Sequence, residues 1–407
     1  MGGRTKRVLV GLTAVTAYVL VLNVGTGAQA TIEALGARRP LAPSKPRIAP
    51  VPQAEWSEVQ RGLAAKYAAD GRADNALRTL LHSPDLVDGV MPYTLYLSNE
   101  STLSPRHREL LILRVAWLCG TPSMWATHGA RARSAGFTAA EIRRIAQGPD
   151  ASGWDPFEAT LLRLADQLFR NSSMSEATWR TLSASYDMFH LVDAVETVGH
   201  FTMLAMMYNA FGVEPDDGTV DRLPTDVPYR VVVPPREPPL AVARFTPIEG
   251  RGISVNRTFA RHPKLYERWQ PRQSFVVRIS KLPPRQRELL TLRIGWNCQS
   301  EYEWAKHVGT VGRARDHGLD PVRIAEGPSS PVWDPFERTL LHAADELYRD
   351  TAVSDGTWRA LTERLDTPLV MAAITTVSDF RTISMSLNAY GVQLEEGDEG
   401  FPKLPAK

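Results

Sequence analysis

The chain has 407 residues, 43% of them hydrophobic and 23% charged, and a formal net charge of +2. These are ordinary proportions for a globular protein with length for two or three domains. So small a net charge, with no block of like charge, gives no case for nucleic acid or a strongly acidic partner, and two cysteines, Cys119 and Cys298, exclude a disulfide scaffold or an all-cysteine metal cluster within one chain.

The first 30 residues, "MGGRTKRVLVGLTAVTAYVLVLNVGTGAQA", stand apart. A basic start at Arg4, Lys6 and Arg7 precedes an uncharged apolar run and an Ala28-Gln29-Ala30 site of small residues. That is the pattern of a secretory signal peptide. Extended through Ile32, the run also reaches spanning length, so an uncleaved membrane anchor stays open. Export or membrane attachment is the expectation, with a cytoplasmic location if the segment has neither role. A proline-rich linker follows over residues 31–47.

Beyond it the chain is duplicated. Shifting the sequence by 179 residues makes 14 of 26 positions identical between residues 103–128 and 282–307. The same offset aligns "WDPFE" with itself, Asp166 with Asp345, Trp179 with Trp358 and Asn209 with Asn388. Register slips just after His128 and His307 and recovers at Gly148 and Gly327, so a loop or helix end differs there. Repeat one is expected over residues 48–217 and repeat two over 245–401. A proline-rich connector, 218–244, joins them; its "RVVV" is the best strand candidate in the chain.

Within each repeat the apolar spacing is helical. "PRQRELLTLRIGWNC" starts with Pro284 in its first turn. "SEYEWAKHVGTVGRA" pairs Ser300 with Glu303 as a capping box, and Thr121-Pro122 is the equivalent start in repeat one. Asp334, Pro335 and Glu337 open "WDPFERTLLHAADELYRD", and Ser354 opens "SDGTWRALTERL". The last helix of each repeat ends at Gly212 or Gly391. The fold class is therefore all-α.

The chemistry-bearing residues lie in these helices. Glu303 and His307 are four apart and share a helix face. Glu288, nineteen residues before His307 on the preceding helix, approaches the ring if the two helices pack antiparallel. A carboxylate on one imidazole nitrogen fixes the tautomer and raises the basicity of the other, as a general base or proton shuttle needs. Glu109 and His128 repeat the spacing, with Met124 where repeat two has Glu303. No second histidine stands at ligand spacing, so no metal is assigned. Nothing marks a nucleotide-binding loop, and no cofactor is assigned. The lone thiols read as buried apolar groups. His200 and Asp379, and the paired Asn209 and Asn388, lie on the last helices as helix-end or pocket residues.

"LPPRQRELLTLRIGWNCQSEYEWAKH", with the downstream "WDPFERTLLHAADEL", resembles the carboxymuconolactone decarboxylase family, which includes alkylhydroperoxidase D. The resemblance covers both repeats. It implies a compact helical unit that assembles as an oligomer, here two tandem domains packed as a pseudo-dimer, with homo-oligomers of such chains expected. It also implies a proton relay whose glutamate falls on Glu288 and Glu109 and whose histidine falls on His307 and His128. The peroxidase branch carries two redox cysteines seven and four residues before the histidine. Those positions are Ser300 and Glu303 here, and Thr121 and Met124 in repeat one, so that thiol pair is missing. The decarboxylase branch resembles repeat two better, with its glutamate at the position of Glu303.

The function expected is cofactor-free proton transfer on a small carboxylate or lactone-like compound, with repeat two as the main site. Glu288, Glu303, His307, Glu109 and His128 are the candidate catalytic residues. Ser300, Trp304, Arg293, Cys298 and Asn388 are the candidate substrate contacts, with Arg293 or Arg114 to hold a carboxylate. A hydroperoxidase working through Cys298 or Cys119, and a non-catalytic helical scaffold, are the alternatives.

Overall fold

The structure, a computed structural model, describes residues 43, 45–68, 72–250 and 252–404. The expected signal or anchor over residues 1–30, and most of the 31–47 linker, lie outside the described residues. Among the described residues there is no strand, so "RVVV" in the connector is not one, and no helix is long and apolar enough to cross a membrane.

Among the described residues, repeat one contains nine α-helices: α1 (Glu58–Tyr67), α2 (Asn75–Leu80), α3 (Pro84–Leu95), α4 (Pro105–Cys119), α5 (Pro122–Ser134), α6 (Ala139–Gln147), α7 (Pro156–Asn171), α8 (Glu176–Ser183) and α9 (Met188–Phe211). Repeat two follows the same order without a counterpart of α1 among the described residues: α10 (Ser254–Phe259), α11 (Pro263–Ser274), α12 (Pro284–Asn297), α13 (Glu301–Val308), α14 (Pro321–Glu326), α15 (Pro335–Asp350), α16 (Asp355–Thr362) and α17 (Thr367–Tyr390). Short polar side chains start many of them. Asp334 caps α15 in a full capping box with Glu337, and Asp187 and Asp366 cap the two long helices. Gly212 and Gly391 close those helices with left-handed backbone. Pro92 and Pro271 lie inside α3 and α11, and each is soon followed by a π-helical turn, Tyr96–Glu100 or Phe275–Ile279.

The long helices α9 and α17 are buried along most of their length and pack against each other. They cross where Gly199 brings the backbones together. A Cβ on Gly199 would sit 2.7 Å from Thr382 Cγ2, and Thr382 Oγ1 donates to the Gly199 carbonyl. The homologous α3 and α11 also pack on each other. The two repeats thus form a pseudo-dimer around these four helices.

Charge is buried on this interface. Arg272 of α11 is fully enclosed, with Nε 2.7 Å from Asp379 Oδ1, out of line for a hydrogen bond, and Nη1 3.1 Å from His200 Nδ1. Burial, with Arg272 beside it, holds His200 well below the usual imidazole range, so the neutral ring accepts from the guanidinium. Glu196 accepts from Tyr93, Tyr390 and Ser386. Burial pushes the Asp379 and Glu196 carboxyls up, and Arg272 opposes that in both.

Candidate active site

Glu288 lies in the second turn of α12, and Glu303 and His307 lie one turn apart on α13. The turn between the helices passes through Gln299 in left-handed backbone and folds α13 back on α12. Ser300 occupies the N-cap position of α13, yet its hydroxyl caps nothing and is buried without a partner. The expected capping box is therefore absent, and Glu303 is free to face His307.

His307 lies between the two carboxylates. Nδ1 is 2.6 Å from Glu288 Oε2, and Nε2 is 3.0 Å from Glu303 Oε1 in an ion contact. Arg287 Nε donates to Glu288 Oε1 at 3.0 Å. The Phe380 ring stands edge-on to the imidazole at 4.8 Å between centroids. All three acid–base groups are buried. Burial works against a charged ring, but Glu288 and Glu303 outweigh it and His307 is pushed up to about 10. Burial likewise opposes the Glu288 carboxylate, and His307 and Arg287 still hold it below the usual carboxylate range. Both carboxylates favour the protonated ring, which suits His307 to the proton-shuttle role that the spacing implies.

A glycine closes the back of this cluster. α13 ends at Val308, where the sequence register slips, and the chain loops over the relay. A Cβ on Gly312 would fall 2.1 Å from Glu288 Oε2 and 2.7 Å from His307 Nδ1. The Gly312→Ala variant is expected to keep its helix content but lose that pairing. The His307 protonation midpoint, followed by NMR, should fall by about one to three pH units, the range an adjacent opposite charge commands. An unchanged midpoint would show that the loop yields without disturbing the pair.

The front of the cluster faces a cavity of about 320 Å³. Glu303, His307, Tyr302, Trp269, Gln273 and Phe380 are among its walls. Lys306 also reaches it, but its ammonium is 2.6 Å from Glu395 and 2.8 Å from Asp398 of the C-terminal segment. A larger cavity of about 440 Å³ lies beside the connector and contains neither the histidine nor the relay glutamates.

Repeat one retains half of the arrangement. His128 Nδ1 is 2.7 Å from Glu109 Oε2, and Phe201 stands edge-on to the ring. Buried Met124 occupies the place of Glu303. His128 and the burial-opposed Glu109 still pair, and the histidine with Arg131 and Arg108 holds Glu109 below its usual range.

The candidate substrate contacts are corrected by the structure, since none of the five lines the His307 cavity. Arg293 is engaged in a two-point ion pair with Asp345 and donates to the Ile324 and Ala325 carbonyls. Arg114 does the same with Asp166. Such a fork cannot also hold a ligand carboxylate. Asn388 donates to the Cys298 and Ser172 carbonyls, pinning one repeat to the other, although it borders the larger cavity. Trp304 packs against Trp296 and Phe401. Cys298 and Cys119 are wholly buried. Burial pushes both thiols up, Cys119 to about 12, in each case against Arg381. Ser300 lies behind the helix turn. The residues that sequence spacing misses are Gly312, Lys306 and Gln273. Only Phe380 left a trace, as Phe201 recurs at the repeat offset. Among the described residues, no three His, Cys, Asp or Glu side chains are grouped to hold a metal ion.

The fold and site define a tandem, all-helical protein whose second repeat encloses a glutamate–histidine–glutamate cluster. The carboxymuconolactone decarboxylase family model matches residues 84–167 and 263–346, and the chain carries two tandem copies of that family's domain. No curated protein is a significant match.

Proposed function

We propose that repeat two is a cofactor-free proton-transfer site, of decarboxylase or isomerase type, acting on a small carboxylate or lactone-like compound. The observation that carries this is the position of His307 between Glu288 and Glu303 on the wall of a cavity of about 320 Å³. Glu303 is the base that faces the substrate and takes a proton from carbon next to a carbonyl. The His307 imidazolium, through Nε2–H, neutralises the oxygen on which charge develops. Glu288 keeps the ring charged and oriented, and Arg287 holds Glu288. In a decarboxylation the electron pair of the breaking C–C bond enters the same enolate, His307 gives its Nε2 proton to that carbon once CO₂ has left, and solvent reprotonates the ring. Repeat one lacks the middle carboxylate and is the structural partner.

The hydroperoxidase alternative has no observation in its favour, because both thiols are buried and their pKa values are raised. To test the proposal, the full chain is incubated in D₂O with a panel of 3-oxo acids and unsaturated lactone acids. NMR then follows CO₂ release and C–D formation. Turnover of at least one class is expected. Identical traces from the wild type and the His307→Gln variant across the panel would refute it.

A further inference from the structure

The face of α11 that borders the His307 cavity carries Tyr266, Trp269, Gln270, Gln273 and Ser274, and the π-helical turn that follows adds Val277 and Arg278. At the repeat offset, the positions on α3 hold Val87, Val90, Met91 and Thr94 where repeat two has Tyr266, Trp269, Gln270 and Gln273. Val87 and Val90 are fully buried. One helix thus carries two buried valines, a methionine and a threonine where its duplicate presents aromatic and amide groups to a cavity. This difference falls in the same repeat that has the complete glutamate–histidine–glutamate set.

Two polar groups on this wall have uncommitted capacity. Gln273 Nε2 donates to Asp379 Oδ2 at 2.8 Å. Asp379, beside the Arg272 guanidinium, is an acceptor, so it fixes the amide orientation. The Gln273 carbonyl oxygen is then the end left for a donor in the cavity. Arg278 Nη2 donates to Ser274 Oγ at 2.7 Å. Among the described residues no carboxylate lies within ion-pair distance of Arg278, whereas the neighbouring Lys306 is neutralised by Glu395 and Asp398. At the offset, Asn99 stands in place of Arg278 and is tied to Arg131.

We propose that this cavity selects a hydroxylated carboxylic acid with a flat apolar body. Arg278 at the rim holds the carboxylate, Gln273 accepts from the hydroxyl, and the Trp269, Tyr266 and Phe380 rings cover the body. The guanidinium fork matches a carboxylate in two points. A volume of about 320 Å³ suits a molecule of one ring with short substituents. This deepens the functional reading above, resting on the cavity as its substrate site and not on which bond is broken there.

The test is calorimetric titration of the full chain with 4-hydroxyphenylacetate, phenylacetate and 4-hydroxyphenethyl alcohol as probes. The hydroxy acid is expected to bind most tightly. Arg278→Gln should weaken both acids by about ten- to a hundredfold and leave the alcohol unchanged, as loss of a charged hydrogen bond does. Arg278→Lys should recover part of the loss. Gln273→Leu should weaken the two hydroxylated probes by about three- to tenfold and spare phenylacetate. Arg278 is exposed, so its replacement does not endanger the fold. Probe binding that survives in His307→Gln while turnover of the 3-oxo and lactone acid panel is lost supports both readings, and probe binding with no turnover of that panel by the wild type strikes only the proton-transfer reading. Failure of the wild type to bind the hydroxy acid, or equal affinity in Arg278→Gln, overturns this proposal.

Discussion

Replacing His307 by glutamine is expected to remove a factor of about 10² to 10⁴ from turnover, the usual contribution of a positioned acid–base group. Glutamine can still bond to Glu288, so the packing behind the ring survives, but its amide cannot shuttle a proton at any accessible pH. Glu303 would then lose the acid that its base works against. The same change at His128 is expected to alter turnover less than about twofold, because Met124 stands where repeat two has Glu303. Steady-state rates of the two variants on whichever class of panel compound reacts decide the matter. Equal losses would mean that both repeats work, and a loss only at His128 would place the site in repeat one.

The second large effect concerns stability. Arg272→Met is expected to cost about 3 to 5 kcal/mol, as removal of one partner from a buried ion pair does. The guanidinium is enclosed between Asp379 and His200, and its charge also favours ionised Glu196. Without it, two buried carboxyl groups lose the cation that opposes their desolvation. Methionine fills much of the volume, so a cavity is not the cause. The double variant Arg272→Met/Asp379→Leu should be less destabilised than the sum of its single changes, since no orphaned charge remains at that pair. Urea denaturation midpoints of the three variants test this. Additive losses would show that the pair carries no coupling across the interface.

Much of the architecture was legible because it rests on local chemistry. Asp334 with Glu337, Pro284, Gly212 and Gly391 mark helix ends by side-chain hydrogen bonding, a fixed φ or a left-handed turn, and each lies where the structure begins or ends a helix. The nineteen-residue separation of Glu288 and His307 also had a geometric meaning, since an antiparallel helix pair brings the two side chains level. What local chemistry cannot give is the competition between partners. Ser300 and Glu303 satisfy the pattern of a capping box, but His307 is the stronger partner for the carboxylate and takes it. Arg293 and Asn388 have the right functional groups for ligand contacts. Only the packed helices show that Asp345 and the ends of neighbouring helices already occupy them. Lys306 meets Glu395 and Asp398 from a segment about ninety residues away, and Gly312 matters for a Cβ it does not have.

The proposed chemistry depends on a proton held by His307 at neutral pH. NMR titration of the imidazole nitrogens in the full chain, with the His307→Gln variant providing the assignment, reads this directly. The prediction is an imidazolium signal that persists through pH 8, titrates near 10, and drops toward the ordinary value in Glu288→Gln. A wild-type ring that loses its proton between pH 6 and 7, indifferent to Glu288, would contradict it.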